Sequence, residues 1–373
     1  MSLVHLNTAG AGLMSAATVE AMRGFIDGEA DQGSYETELQ YADLLGHGLY
    51  ERAAQMLNAP RANIGLFSSA TEAWAGILSK LEFPLGCRVW VSSSEYAANL
   101  IFFNFLKQSR GVRVEVIPRT AQSPLDLDWV RRHLGGDVFL VSVSHIPSCC
   151  GVVNPVEALG AILREHPAYY VVDACQSMGQ LALDVRDMHC DLLTGAGRKF
   201  LCGPRGSGIA YVSNRLLGDL TLNFADLHTA RTNGQVNRID VLDARVLEIA
   251  EKSFSALVGL HQALGEYLAD RERLANEAYT LLSSELARLP GLRLLCAEYR
   301  QSGIVSFVPE RGTAQEFVAR AREAGVNLWA GTAAHTPLLL ADLPASHFVR
   351  ASVGRRVSVA QVELALERIR PLL

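Results

Sequence analysis

The sequence lacks an apolar run of the roughly 18 residues that a membrane-spanning helix needs, and residues 1–13 lack the basic start and apolar stretch of a secretory signal. It also lacks a basic cluster, since 34 Lys and Arg stand against 39 Asp and Glu, a formal net charge of -5. These absences argue against a membrane span and against nucleic acid as a partner. We expect a cytoplasmic protein.

Cysteine is infrequent, and its pattern is not that of a cross-linked or metal-binding protein. The seven cysteines are an odd number, lie scattered and include no CxxC pair. We therefore expect reduced thiols, no zinc and no other bound metal. The adjacent Cys149 and Cys150 invite a nucleophile hypothesis, although small apolar packing is the commoner role of such cysteines. Cys175 is expected to point away from any ligand at its strand end, because neighbouring residues alternate sides.

The composition that remains is that of a globular protein with more than one domain. The chain has 373 residues, of which 49% are hydrophobic, 20% charged and 7% aromatic. A chain of this length exceeds one ordinary hydrophobic core, so two domains are expected, which leaves room for an enzyme with a cleft.

Short β-rich runs alternate with helical stretches between about residues 60 and 212, a pattern that favours βαβ units and a parallel sheet covered on both faces. Several of the runs are continuously apolar, as in strands buried on both sides. The predicted strands are Arg88–Ser92, Val112–Ile117, Val138–Ser144, Tyr169–Asp173, Asp191–Thr194 and Ser207–Val212. The predicted helices between them are Thr71–Leu81, Ala98–Gln108 and Pro155–Glu165.

A second α/β unit follows a polar stretch and a long helical pattern. Residues 219–243 are polar and weakly patterned, and Ala256–Leu289 has the apolar spacing of one long helix or two. We predict an N-terminal segment over residues 1–15, a large domain over 16–255 and a small C-terminal domain over 256–373. The elements expected in the small domain are Leu292–Cys296, Ile304–Val308, Ala314–Ala324, Val326–Trp329, Phe348–Ser352 and Val359–Ile369.

Two side chains with complementary chemistry follow neighbouring predicted strands. Asp173 ends the run Tyr170-Val-Val-Asp, and Lys199 follows the next strand. In an open α/β sheet, ligands bind at the carboxyl ends of strands, so the two can meet on one cofactor. An amine that can bind an aldehyde, with a carboxylate that can hold a ring nitrogen protonated, suggests pyridoxal phosphate. Taken singly, Asp173 could cap a helix and Lys199 could be a solvated surface residue.

The motifs DACQS, GRKF and GPRGSG, at residues 173–177, 197–200 and 203–208, resemble the class V branch of fold-type I pyridoxal phosphate enzymes. The similarity extends from LNTAGAG at residues 6–12 to VRASV at 349–353. This branch includes cysteine desulfurases, aminotransferases and isopenicillin N epimerase. The resemblance implies a mostly parallel large domain and a smaller α/β domain. It makes Lys199 the Schiff-base lysine, with Asp173 facing the pyridine nitrogen and Gln176 near the ring hydroxyl.

The same resemblance implies the remaining contacts of the cofactor. Ala70 and Thr71 correspond to the phosphate-binding pair at a helix N-terminus, where backbone amides attract an anion. Arg198 and Thr194 are further candidate phosphate neighbours. Tyr96 lies where the family stacks an aromatic or histidine ring on the cofactor, although core packing is equally compatible with it. Ser148 replaces an asparagine of many relatives and resembles the isopenicillin N epimerase branch.

Three further residues are candidates for binding an amino-acid substrate. Arg350 matches the arginine with which the family binds the substrate carboxylate, a role that suits a bidentate guanidinium. Asn7 belongs to the N-terminal segment that folds over the active site in the family. His335 could act as an acid or base, although a lone loop histidine is more often solvated. By the same resemblance we expect a homodimer, in which residues 245–254 would reach the neighbouring subunit.

The resemblance leaves several reactions open. We expect aminotransferase-type chemistry on an α-amino acid, with epimerisation and carbon–sulfur β-elimination as alternatives. A cysteine desulfurase is not expected, because the loop Trp329–Pro337 has no cysteine and none occurs after Cys296. A nucleotide-binding dehydrogenase is a further alternative, although no GxGxxG follows the first strand. A non-catalytic scaffold would be expected to lack Lys199 or Asp173.

Overall fold

The chain forms a large seven-stranded mixed sheet between helices and a smaller four-stranded antiparallel sheet, in a computed structural model that describes residues 3–270, 277–341 and 346–373. The strands are β1 Val4–His5, β2 Ile64–Phe67, β3 Arg88–Ser92, β4 Arg113–Ile117, β5 Val138–Ser144, β6 Tyr169–Asp173, β7 Leu192–Ala196, β8 Gly208–Val212, β9 Ala230–Thr232, β10 Asn237–Ile239, β11 Leu292–Leu294, β12 Ile304–Pro309, β13 Val326–Asn327, β14 Trp329–Thr332 and β15 His347–Ser352.

The helices cover both faces of the large sheet and one side of the small one. They are α1 Ala16–Gln32, α2 Ser34–Gln40, α3 Leu49–Leu57, α4 Ala70–Leu78, α5 Ala97–Arg110, α6 Leu127–His133, α7 Val156–Leu163, α8 Val185–Met188, α9 Asn214–Asp219, α10 Phe254–Asp270, α11 Glu277–Arg288, α12 Ala314–Glu323, α13 Pro337–Ala341 and α14 Val359–Ile369.

The large sheet has the strand order β2-β8-β7-β6-β5-β3-β4. Strands β4, β3, β5, β6 and β7 are parallel, whereas β8 runs antiparallel to both β7 and β2. Every residue of β6 and β7 is buried. Burial on both faces explains why these strands are continuous apolar runs rather than alternating ones.

Two apolar clusters lie on the opposite faces of this sheet. One joins α1, α3, α7 and α10 to the sheet, and the other lies under α4 and α5. A separate cluster fills the small domain between its sheet and α11, α12 and α14. Each cluster gives its helices an apolar face to bury, which is the main stabilising contribution to a helix in a folded protein.

The N-terminal segment connects the two sheets. Strand β1 pairs in parallel with β13 of the small domain, and Asn7 forms a bridge to Ser352 at the end of β15. From there the chain passes the turn after β7, where the amide of Gly12 donates to the carbonyl of Arg198 at 2.8 Å. The segment therefore lies beside the carboxyl end of the large sheet.

The predicted fold class is confirmed: the large domain has a mostly parallel sheet and is followed by a smaller α/β unit. The domain limits at residues 15 and 255 stay predictions. The helical pattern over Ala256–Leu289 corresponds to α10 and α11, and residues 271–276 between them lie outside the described part. None of the described helices is long and apolar enough to cross a membrane.

Candidate active site

A cleft opens at the carboxyl ends of three adjacent parallel strands of the large sheet. In the strand register Ser144 pairs with Asp173, and Asp173 pairs with Thr194. All three side chains line the cleft, because strands that run in parallel end at the same edge of the sheet. The site is thus set by strand register.

Asp173 is the carboxylate at the centre of this edge. Its side chain is buried, and its Oδ1 accepts a hydrogen bond from the amide of Cys175 at 2.9 Å. Its Oδ2 lies 3.4 Å from Nδ2 of Asn99, on α5. These two contacts fix the carboxylate plane and leave it facing the cleft.

Lys199 lies in the turn that follows β7, where it lines the cleft with its half-buried side chain. The turn is closed by hydrogen bonds from the amide of Cys202 to the carbonyl of Lys199 and from the amide of Gly203 to the carbonyl of Gly197. A Cβ on Gly12 would lie 2.5 Å from the carbonyl oxygen of Lys199, so only glycine allows this approach. The N-terminal segment therefore packs directly on the lysine turn.

The N-terminus of α4 forms one end of the cleft. Ser69 caps the helix by accepting from the amide of Glu72 at 3.1 Å, and Ala70 and Thr71 form its first turn. The unpaired amides of a first helical turn attract an anion such as a phosphate. Strand β8 crosses close beneath, since a Cβ on Gly208 would lie 2.4 Å from the carbonyl carbon of Ser69.

Three buried polar atoms around the cleft have no hydrogen-bond partner within the described chain: Thr194 Oγ1, Gln176 Oε1 and Arg350 Nε. Unpaired buried polar atoms are rare in folded proteins because each costs free energy. Together with Lys199, Asp173 and the helix N-terminus, they form a donor and acceptor set that fits pyridoxal phosphate. This group offers an aldehyde, a ring nitrogen, a ring hydroxyl and a phosphate.

Arg350 on β15 of the small domain lies next to the cleft, behind Ser148. Its Nη1 donates to the carbonyl of Ser148 at 2.8 Å, its Nη2 donates to Oδ1 of Asn7 at 3.1 Å, and its guanidinium lies 4.3 Å from the ring of Trp329. Burial lowers the pKa of Arg350 to about 10, and the nearby Arg198 contributes. Arg350 is thus a buried cation whose hydrogen bonds go to neutral oxygens.

All nine predicted cofactor residues line the cleft: Ala70, Thr71, Tyr96, Ser148, Asp173, Gln176, Thr194, Arg198 and Lys199. Their roles at the cofactor stay predictions. Arg350 and Asn7 are not among the residues that line this cleft: Arg350 contacts it by donating to the carbonyl of Ser148, and Asn7 accepts a hydrogen bond from Arg350. His335 lies outside it, with its ring against Trp329 and its Nδ1 accepting from the amide of Thr332.

The structure contradicts the prediction for Cys175 and shows where Cys149 and Cys150 lie. Cys175 lines the cleft, so its predicted orientation away from it is wrong. The chain leaves β6 at Asp173, and strand alternation no longer applies two residues later. Burial raises the pKa of Cys175 to about 12, which makes it a poor nucleophile. Cys149 and Cys150 are buried behind Ser148, with their Sγ atoms 3.8 Å apart.

Sequence reasoning missed several residues that form the site. Trp74, Asn99, Ser144 and Arg205 line the cleft, and Glu95 lies directly behind it. Glu95 directly precedes Tyr96, which was the available signal. Its hydrogen bonds go to Ser144 on β5 and Asn99 on α5, and contacts between separate elements cannot be predicted from a local sequence pattern.

Comparison with known proteins gives the same family over nearly the whole chain. The family model described as Aminotransferase class-V matches residues 4–364. A relative named "Probable cysteine desulfurase", from Pyrococcus abyssi, is 31% identical over 162 residues, which cover 43% of this chain and 40% of the relative. The alignment thus spans less than half the length of that relative.

Solved structures share the fold. A cysteine desulfurase from Thermococcus onnurineus NA1 has a TM-score of 0.87 at 20% identity and covers 99% of this chain and 94% of its own. The cystine C-S lyase C-DES, in complex with its reaction product cysteine persulfide, has a TM-score of 0.84 at 21% identity and covers 99% and 97%. A C-DES mutant carries glycine covalently linked to the PLP cofactor.

These names contradict the predicted reaction. We expected aminotransferase-type chemistry and excluded a cysteine desulfurase, yet the relative and the solved structures are named for carbon–sulfur chemistry. The exclusion relied on the absence of cysteine from one loop, Trp329–Pro337, and from the chain after Cys296, whereas the match to the class-V family covers residues 4–364. The prediction from that loop is therefore wrong, and carbon–sulfur cleavage, which was an alternative, is better supported.

Proposed function

The chain belongs to the class-V aminotransferase family of pyridoxal phosphate enzymes, and we propose that within this family it cleaves the carbon–sulfur bond of a sulfur-containing α-amino acid. One observation carries the proposal. Lys199, Asp173 and the helix N-terminus at Thr71 converge in one cleft, and Arg350, a buried cation with an unpartnered Nε among the described residues, lies beside it at Ser148. The names of the relative and of the structural neighbours support the choice of bond.

Bound pyridoxal phosphate supplies an electron sink for a carbanion at the substrate Cα. Lys199 would hold the cofactor through its amine and would move the proton at the substrate Cα through its Nζ. Asp173 keeps a proton on the pyridine nitrogen, and the amide of Cys175 holds this carboxylate in place. The first turn of α4, Thr194 and Arg198 bind the phosphate, while Gln176 and Tyr96 bind the ring.

Arg350 orients the substrate by its carboxylate. Its guanidinium is held from two sides, by the carbonyl of Ser148 and by Asn7, which leaves Nε for the ligand. Asn7 thereby lines the substrate pocket from the N-terminal segment. On the same proposal His335, whose ring lies against Trp329, acts as an acid or base at the outer edge of this pocket.

The reaction is tested by product analysis with cysteine and cystine. We expect sulfur release accompanied by pyruvate and ammonia if the enzyme eliminates, or by alanine if it transfers the sulfur to an added thiol, which then becomes a persulfide. Mass spectrometry of these products separates the two routes. Exchange of the α-proton without sulfur release, or conversion of the amino acid to its keto acid alone, would contradict the proposal.

We also propose a homodimer in the cytoplasm. Residues 220–249 carry apolar side chains that this chain alone leaves in solvent, among them Leu227 and Leu242 at 75% and 83% exposure. Large exposed apolar side chains are typical of interaction surfaces. All seven cysteines are free thiols, which supports a reducing compartment.

A further inference from the structure

A fully buried carboxylate lies behind the cleft and takes no part in the mechanism given above. Glu95 is 0% exposed and follows β3, one residue before Tyr96. Buried glutamates are rare unless their oxygens are hydrogen-bonded. The hydrogen-bond partners of Glu95 therefore indicate its role.

Three of those partners line the cleft. Oε1 of Glu95 accepts from Nδ2 of Asn99 at 2.8 Å, from Oγ of Ser144 at 3.0 Å and from the amide of Tyr96 at 3.1 Å. Its Oε2 lies 3.4 Å from Oγ of Ser142. One carboxylate thus connects β5, the start of α5 and the end of β3.

The same network reaches the carboxylate that faces the cofactor. Nδ2 of Asn99 has two hydrogens and lies near both Oε1 of Glu95 and Oδ2 of Asp173. An amide with two acceptors on different elements cannot rotate without losing one of them. Asn99 therefore transmits the position of Glu95 to Asp173, and the amide of Tyr96 transmits it to the ring-stacking residue.

We propose that Glu95 is a positioning residue: through Asn99 and the amide of Tyr96 it fixes Asp173 and the Tyr96 ring against the two sides of the bound cofactor. The inference rests on the proposed pyridoxal phosphate function and goes beyond it. Glu95 touches neither cofactor nor substrate, and it acts as an acceptor of hydrogen bonds. Glutamine, which keeps the Oε1 acceptor, should replace it, whereas alanine should not.

The test measures the bound cofactor rather than turnover. Holoenzyme is compared for Glu95→Ala and Glu95→Gln by visible circular dichroism, which reports the asymmetric setting of the ring, and by the dissociation constant of pyridoxal phosphate. We expect Glu95→Ala to lose most of the visible ellipticity and to bind at least tenfold more weakly. Glu95→Gln should retain the ellipticity and bind within about threefold of wild type.

A matched control is available at the opposite edge of the sheet. Asp191 is also a buried carboxylate, and it accepts from the amide of Tyr170, from Ser213 and from Arg215. Asp191→Ala should reduce thermal stability without changing the ellipticity of the bound cofactor. If Glu95→Ala does not fold, Asn99→Ala breaks the same connection and should show the same spectral loss.

The outcomes distinguish a failure of the proposed role of Glu95 from a failure of the proposed pyridoxal phosphate function. A wild-type protein that binds no pyridoxal phosphate overturns both. A wild type that binds the cofactor, with Glu95→Ala or Asn99→Ala unchanged in ellipticity and affinity, overturns the role of Glu95 alone. A Glu95→Gln variant as impaired as Glu95→Ala also overturns it, because the acceptor would then not be what matters.

Discussion

Arg350 is a buried cation whose Nε has no hydrogen-bond partner among the described residues. It is buried at 4% exposure, its hydrogen bonds go to the neutral oxygens of Ser148 and Asn7, and Arg198 is a second cation nearby. A buried charge without a counter-charge is costly. A ligand carboxylate would supply the missing charge, which is why substrate binding and this guanidinium are expected to depend on each other.

Replacing Arg350 should therefore impair the binding of the amino acid more than the chemical step. Arg350→Ala is expected to raise KM with a loss on the order of 2–5 kcal/mol, since the carboxylate loses a buried, hydrogen-bonded partner. Arg350→Lys keeps the charge but lacks the planar fork of the guanidinium, so its KM should lie between those of wild type and Arg350→Ala. Steady-state kinetics checks this, and an unchanged KM in Arg350→Ala would place the substrate elsewhere.

Glu95 should make the stability of the protein without cofactor depend on pH. Burial, with Asp173 contributing, raises its pKa from 4.5 to about 7 in the folded protein. The proton is thus held more tightly in the folded state, and its stabilising contribution is present below pH 4.5 and lost as the pH rises through 7. The decline should reach about 1.4 kcal/mol per pH unit.

Glu95→Gln removes this titrating group and shows whether the decline belongs to it. The melting temperature of the variant, measured by circular dichroism, should exceed that of wild type by an amount that grows between pH 5 and pH 8. A difference that stays constant over this range would assign the pH dependence to other groups.

Individual site residues could be predicted from the sequence only where a motif marks them. Lys199 and Asp173 lie in motifs next to predicted strands, and the structure brings both to one cleft. Glu95 and Asn99 could not be found in this way, because their partners Ser144 and Asp173 come from other strands. Contacts between strands depend on register, which a local pattern does not contain.

Helix α4 and strand β8 are held together at the predicted phosphate end of the cleft. The helix begins at Ala70, directly after Ser69, and β8 begins at Gly208. A Cβ at residue 208 would lie 2.8 Å from the amide nitrogen of Ala70 and closer still to Ser69. Glycine at this position therefore sets how near the strand comes to the helix N-terminus.

Gly208→Ala should displace the first turn of α4 and weaken the hold on the phosphate. We expect a destabilisation of roughly 1–3 kcal/mol, as for other overpacked sites, and a higher dissociation constant for pyridoxal phosphate. Gly76→Ala is the matched control in the same helix, because a Cβ there meets no atom of the described residues within 4 Å.

The control should be neutral or stabilising by about 0.5–1 kcal/mol, since alanine favours the helix. Urea unfolding and cofactor titration measure both variants. Equal effects of the two substitutions would show that the close approach of β8 is not what positions this helix.

The elements themselves were predictable where apolar runs are long. Strands β3, β5 and β6 begin and end at the predicted residues, because each is a mostly apolar run. The direction of β8 was not predictable, since antiparallel pairing leaves the same apolar run in the sequence. The predicted strand Val326–Trp329 is divided between β13 and β14, which pair with different sheets.

In the proposed dimer, the segment predicted to contact the second subunit is only partly available. The predicted contact segment, residues 245–254, is partly held within the same subunit, because Glu248 is buried and accepts from the amide of Leu66 and from Tyr50. Ile249 next to it is 45% exposed. The segment can therefore offer only some of its side chains to a second subunit.

The mass in solution tests the dimer. Light scattering should give twice the chain mass of 40.5 kDa at working concentration. Leu242→Glu, which places a charge on an 83% exposed apolar position, should shift the mass toward one chain. A wild-type mass of one chain would contradict the dimer without affecting the cleft.

The most direct test of the account as a whole is to find which lysine holds the cofactor. The chain has four lysines, Lys80, Lys107, Lys199 and Lys252. Holoenzyme is reduced with borohydride, which fixes pyridoxal phosphate to the amine that binds it, and the digested peptides are mapped by mass spectrometry. We predict the added mass on the Lys199 peptide alone, with Lys107→Ala labelled like wild type and Lys199→Ala unlabelled. A label on another lysine, or no label after incubation with pyridoxal phosphate, would contradict the central claim.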